Sequence, residues 1–365
     1  MFAVIAARFL VPLIIPKYPL PGVLASIVVD AFDRSVFQVL LGTDLPGYQP
    51  YDKAFDIYSL SVTMLATLRN WQSRPAVAIA RFLFYFRLLG VFSFELTGWR
   101  PLLLIFANTF EYFFIFYEIV RAWWSPVRLS TRALLQAAVV ILIVIKIPQE
   151  YALHVSRLDV TDVIKEKILH APVTAGWAEG IAQLLSVAAV AVGVAVIGLG
   201  VRVMAPPRQH PLRLAADPLP LSIDEAHEWA SHVAKHWRVL DRHLVEKIVL
   251  VGFLTVIFAQ IVPGMDARPT QLVGGVAAVV TLNSLLLLRR TRKGRPVPPA
   301  VLSFLLVAVT NVAFVLAAHL MLRRHHGGLS VPASVSFLLL LTLIVTLYDR
   351  WHPVFDERFR EASAP

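Results

Sequence analysis

Apolar residues run through this chain in long blocks separated by short polar connections. The blocks fall at 2–15, 20–42, 54–70, 76–94, 99–120, 133–149, 177–204, 246–263, 271–288 and 299–322, with 332–348 a further candidate. Most approach the roughly 20 residues a helix needs to cross a hydrocarbon core of about 30 Å. The alternation expected of a membrane β-barrel is missing. The pattern therefore predicts an all-α fold, a polytopic transmembrane helical bundle of about 9–11 membrane segments. The first block is too short to cross as a straight helix. It either re-enters or pairs with the second block across the Pro16–Pro19–Pro21 stretch.

Polar positions inside the blocks are unevenly shared. From residue 177 onward Glu179, Gln183, Asn283, Asn311 and His319 make up almost the whole inventory. The first 150 residues instead place Asp30, Asp33, Arg34, Asp56, Arg81, Arg87, Glu95, Glu111, Glu118, Lys146 and Glu150 in or beside apolar runs. A charge at a helix centre costs about 2.5–3.5 kcal/mol on insertion scales, so such residues face protein or water and tend to be functional. They either line a polar cavity or neutralise one another as ion pairs that fix helix packing. The organisation expected is an N-terminal membrane half with a polar core (1–175), a connecting span (176–204), a cytoplasmic loop (205–245), a C-terminal apolar membrane half (246–348) and a polar tail (349–365). No internal repeat is visible.

Composition agrees: 57% hydrophobic, 16% charged and a mean hydropathy of +0.68, against about 45–50% and 25% in a soluble domain. A soluble enzyme, a nucleic-acid-binding domain and a disordered chain are excluded, and the expected partners are the bilayer and anionic lipid headgroups. The net charge of +10 belongs to the connections. One alternate set carries 20 basic residues and the other 8, which predicts a cytoplasmic C-terminus and puts 43–53 and 150–175 outside. Arginine outnumbers lysine 26 to 8 amid abundant Ala, Val and Leu, a bias that suggests a bacterial inner membrane. With no cysteine, disulfides, thiolate metal sites and cysteine nucleophiles are excluded. The opening MFAVIAARFLVPLII lacks a basic n-region and does not read as a removable signal.

Two connections carry structure of their own. Ile223, Ala226, Ala230, Val233, Trp237, Leu240 and Leu244 repeat at helical spacing after a capping box of Ser222 and Glu225, the pattern of an interfacial amphipathic helix over 222–244. The outer segment 151–170 puts Asp159, Asp162 and Glu166 on one face, as a solvated cap does.

Three constellations carry candidate chemistry. Asp30 and Asp33 are three apart, and Asp52 and Asp56 four apart, so each pair shares a helical face. If the helix ends meet, four carboxylates converge, and a divalent cation or arginine must neutralise them; oxygen-only ligands suit Mg²⁺ or Mn²⁺. In the alternative, Asp30 and Asp33 pair with arginines while Asp52 and Asp56 begin a helix. Residues 81–124 form the second, with 16 aromatics in 44 positions. There Asn108, Glu111 and Glu118 make one polar stripe, and Arg81 and Arg87 on the preceding span are natural partners. This is either a proton, ion or headgroup route, or a buried salt-bridge seam packed by aromatics. Third, His232, His236 and His243 share a face near Glu228, spacing that can hold zinc and equally suits an exposed polar face.

The four-aspartate spacing resembles the signature of the CDP-alcohol phosphotransferases, membrane enzymes that use four aspartates and divalent metal. Asp30, Asp33, Asp52 and Asp56 match its separations, whereas Arg34, Phe37, Gln38 and Tyr48 replace its glycine, alanine, arginine and second glycine. The resemblance implies metal at all four aspartates and catalysis at Asp52 and Asp56. Blocks such as YDKAFDIYSL, TLRNW, NTFEYFFIFYE and KIPQEYALH also resemble uncharacterised polytopic membrane proteins of actinobacterial type, a resemblance that implies no activity. Three function classes follow. The first is a metal-dependent transferase or hydrolase acting on a lipid-linked substrate. The second is a transporter or proton- or ion-coupled channel using Arg81, Arg87, Asn108, Glu111 and Glu118. The third is a non-catalytic membrane subunit or scaffold.

Overall fold

The computed structural model describes residues 2–41, 48–151, 209–218, 242–261 and 331–361, with short helical pieces within 195–200 and 301–309. The span expected at 271–288, most of those at 177–204 and 299–322, the outer segment, and most of the interfacial helix with the histidine side chains lie outside them. The described residues form helices and no strand. Among the described residues, four helical stretches are long and apolar enough to cross a membrane: Arg74–Thr97, Pro101–Trp123, Thr131–Glu150 and Val335–Phe359. Contacts divide the chain into two units, one of Met1–Thr67 with Trp71–Asp217 and the other of Leu68–Asn70 with Pro218–Pro365.

In the first unit, α1 (Phe2–Leu10) ends in a 3₁₀ turn, Val11–Ile14, where Pro12 breaks the α-ladder. The chain folds back into α2 (Pro19–Leu41), and α1 packs against it. The first apolar block thus pairs with the second. The turn is tight enough that a Cβ on Gly22 would lie 2.8 Å from the Ile15 backbone. Next, α3 (Tyr48–Asn70) is the least apolar long helix of the unit, yet Ser61 to Leu68 are buried. Its hydroxyls make this possible: Ser61, Thr63 and Thr67 donate to the carbonyls of Ile57, Ser59 and Met64 at 2.7–2.8 Å. Tyr58 fixes α3 to α1 by donating to the Phe9 carbonyl at 2.9 Å and stacking on the Phe9 ring.

Helix α4 (Arg74–Thr97) is capped by Ser73 and stopped by Gly98 at φ 67°. The run 99–120, read in sequence as one span, is two helices, α5 (Pro101–Ile105) and α6 (Thr109–Trp123). The three residues between them, Phe106 to Asn108, leave the helical path, and a Cβ on Gly90 of α4 would sit 2.1 Å from Phe106 Cβ. Gly90 is what lets α4 approach the break.

The next span comprises α7 (Thr131–Val140), a π turn (Ile141–Lys146) and α8 (Ile147–Glu150). Its two faces oppose the soluble rule. Leu135, Val139, Val140, Ile143, Val144 and Ile147 are exposed, while Lys146 and Glu150 are buried with Leu134, Ala138 and Ile141. That is the distribution lipid demands. The spacing 134, 138, 141 would continue to 145 in an ideal helix. The π turn adds one residue and keeps Lys146 and Glu150 on the inward face.

In the second unit, α9 (Arg242–Ile261) pairs antiparallel with α10 (Val331–Glu361). Val251 and Val345 meet in the core with Leu244, Ile248 and Leu341 around them. Phe258 stacks on Phe337 at 5.3 Å, and Lys247 pairs with Asp349 at 2.6 Å. His352 lies 3.1 Å from Asp356 and 3.9 Å from Glu246. The helix carries on past position 349, where a polar tail was expected, because Trp351, His352, Val354, Glu357 and Phe359 are buried.

Candidate functional site: charges around a helix break

Breaking a helix frees backbone carbonyls that need new donors. At the α5–α6 break Arg87 of α4 answers them, its Nη1 donating to Phe106 O at 3.2 Å and Leu103 O at 3.4 Å. The start of α6 is met from the other side, where Glu150 Oε1 accepts the Asn108 N–H at 3.5 Å. Lys146 stands 3.3 Å from that carboxylate, donates to Gln149 at 2.9 Å and lies 4.9 Å from the Tyr112 ring centre. Glu111, in the first turn of α6, receives the Asn108 side-chain amide at 3.4 Å. Arg87, Asn108, Glu111, Lys146 and Glu150, from three spans, thus gather at one place.

A second group adjoins it. Arg8 of α1 holds Asp30 of α2 and Asp56 of α3, with its Nη2 2.5 Å from each. The arginine side chain is 4% exposed and each carboxylate 48%, so the cation is enclosed and the acids remain accessible. The two groups are within electrostatic reach, since Asp56 acts on Arg87 and Asp30 on Glu111.

Glu118 lies apart from both. It is 0% exposed and sealed by Arg121 at 2.6 Å and the Trp71 indole N–H at 2.7 Å. Trp71 is itself packed by Phe113, Phe114 and Tyr117. A strap, 209–217, closes this end of α6: Gln209 and Arg213 donate backbone N–H groups to Trp123 O and Ala122 O, while Arg121 donates to Ala215 O.

The candidate residues therefore divide. Asp30 and Asp56 come together, but on Arg8. The side chains of Asp33 and Asp52 lie outside the described residues. Among the described residues no group of three or more acids or histidines gathers to hold a metal. The oxygen donors of Asp30 and Asp56 suit Mg²⁺ or Mn²⁺ chemically, but their meeting point is taken by the guanidinium. Arg87, Asn108 and Glu111 all lie at the α5–α6 break. Arg81 lies about 120° around α4 from Arg87 at about 100° per residue, so the two do not share a face. Arg8 was not among the sequence candidates, although a lone arginine in an apolar run is itself the signal. Lys146 and Glu150 carried a signal too, as an i,i+4 pair in an apolar helix.

The chain matches no protein-family model, and comparison with characterised proteins and with solved structures found no match. The class is set by the fold: a polytopic helical membrane protein whose first unit buries ionisable groups from several spans.

Proposed function

We propose that the protein is a membrane transporter or ion-coupled channel whose solute or ion passes the charged site at the α5–α6 break. The observation that carries this reading is the break itself, with Arg87, Glu111, Lys146 and Glu150 around it. Broken helices with unwound backbone and buried charges are how transporters build ion and substrate sites in lipid. The π turn beside Lys146 adds a second irregularity at the same place. Glu118 belongs to the scaffold in this reading, because its ion pair is closed.

The test is electrical. Purified protein in proteoliposomes on a solid-supported membrane is challenged with jumps in pH, NaCl and KCl. A transient current above protein-free vesicles is expected, reduced at least tenfold in Glu111→Gln and Lys146→Met and kept in Glu95→Gln. Currents indifferent to Glu111 and Lys146 would rule the reading out.

A second reading, a metal-dependent transferase or hydrolase, is favoured by one observation, the meeting of Asp30 and Asp56. It requires Asp33 and Asp52 to join them and a metal to displace Arg8. Paramagnetic Mn²⁺ binding that is lost in both Asp52→Asn and Asp56→Asn is its expected mark.

A further inference from the structure

Among the described residues, four charges act on Glu111. They are Asp30 of α2, Arg87 of α4, Lys146 of the π turn and Glu150 of α8. Two are cations and two are anions, so they cancel. The charge on Glu111 is the remainder. Enlarging the circle to include Arg8 and Asp56 gives the same result: Arg8, Arg87 and Lys146 against Asp30, Asp56, Glu111 and Glu150. Among the described residues one carboxylate is in excess, and an uncompensated charge away from water is costly.

Asp30 and Asp56 share Arg8 but stay half exposed, so water offsets the shortfall there, and Glu150 has Lys146. Among the described residues Glu111 has an amide contact at 3.4 Å and no ion pair. Beside it the Asn108 side-chain oxygen is fully enclosed and has no hydrogen-bond partner. The oxygen and nitrogen positions of the amide are interchangeable. With them exchanged, a carboxylic acid O–H on Glu111 would donate to Asn108 Oδ1, and the amide nitrogen would take the enclosed position. A proton on Glu111 supplies both the missing positive charge and the donor for this contact.

We infer that Glu111 and Asn108 form a binding site for one exchangeable proton, the coupling ion of the transport reading on which this inference rests. A metal cation is disfavoured at the same place. Sodium needs about five or six oxygens, whereas Phe106 O and Leu103 O are already engaged by Arg87, whose charge repels a second cation. Proton release leaves Glu111 ionised beside the helix break.

The test reads the proton directly, without transport. Infrared difference spectra of the full chain in lipid, titrated in pH, should show a carboxylic C=O band from a buried acid. It should shift in deuterium oxide, vanish in Glu111→Gln and change frequency in Asn108→Ala, yet persist in Glu118→Gln. Thermal unfolding in detergent checks folding, and Glu111→Gln, which mimics the protonated form, should melt no lower than the parent. A band absent at every pH, or unaltered by Glu111→Gln, overturns the proposal. A band that disappears on adding NaCl at fixed pH overturns the proton in favour of a metal cation. A Glu111 band accompanied by no current of any kind keeps the proton site and removes the transport reading instead.

Discussion

Glu111 and Glu118 are seven residues apart on one helix, equal members of one polar stripe in the sequence, and they end in opposite situations. Glu118 is sealed, with arginine and indole donors within 2.7 Å and no exposure. Glu111 stands where a helix starts anew, among charges that cancel without including its own. A carboxylate in lipid is stabilised by direct ion pairing and satisfied lone pairs. Where those are complete the group is structural. Where they are withheld, it is free to exchange what neutralises it.

That contrast is open to attack by mutation. The largest effect is expected at the closed pair. Arg121→Met strands a fully buried Glu118, and the loss should be about 3–5 kcal/mol in a denaturant titration in detergent, enough to deplete folded protein. Next comes Gly90→Ala, whose Cβ would meet Phe106. Overpacking at this crossing should cost about 1–3 kcal/mol, read as a lowered Tm, and should suppress transport current by moving the break. Arg8→Met should cost about 1–2 kcal/mol, less than Arg121→Met, because Asp30 and Asp56 are half exposed and partly screened. Glu111→Gln should leave stability level or raised while abolishing current. If it unfolds the protein and Arg121→Met does not, the roles assigned to the two acids are reversed. The smallest change belongs to Glu95→Gln at the accessible Lys53 pair, within about 1 kcal/mol.

The absence of native cysteine sharpens the same comparison from outside. Single cysteines at Trp99 and Leu129, flanking the α5–α6 span at its two ends, should label from opposite sides of sealed vesicles with an impermeant maleimide.

Much of the fold was legible because hydrocarbon permits so little. Runs at 20–42, 76–94, 133–149 and 246–263 correspond to helices Pro19–Leu41, Arg74–Thr97, Thr131–Glu150 and Arg242–Ile261. The break at Phe106–Asn108 was not legible. It contains neither glycine nor proline, and it exists because Arg87 and Glu150 satisfy the groups it frees. The sequence left open whether the aspartates meet and whether a metal or an arginine faces them; Asp30 and Asp56 meet on Arg8. Arg8 is 22 residues from one and 48 from the other, and only the fold-back of α1 delivers it.

The sequence by itself determined the solvent, the helical class and the concentration of intramembrane charge in the first 150 residues. Length, apolarity and the cost of charge in lipid are properties of residues taken in order. Tertiary structure decided how those charges are divided between closed pairs and an open remainder. Electrostatic balance is a sum over neighbours in space, and α1, α2, α4, α6 and α8 each contribute a term that no single stretch of chain contains.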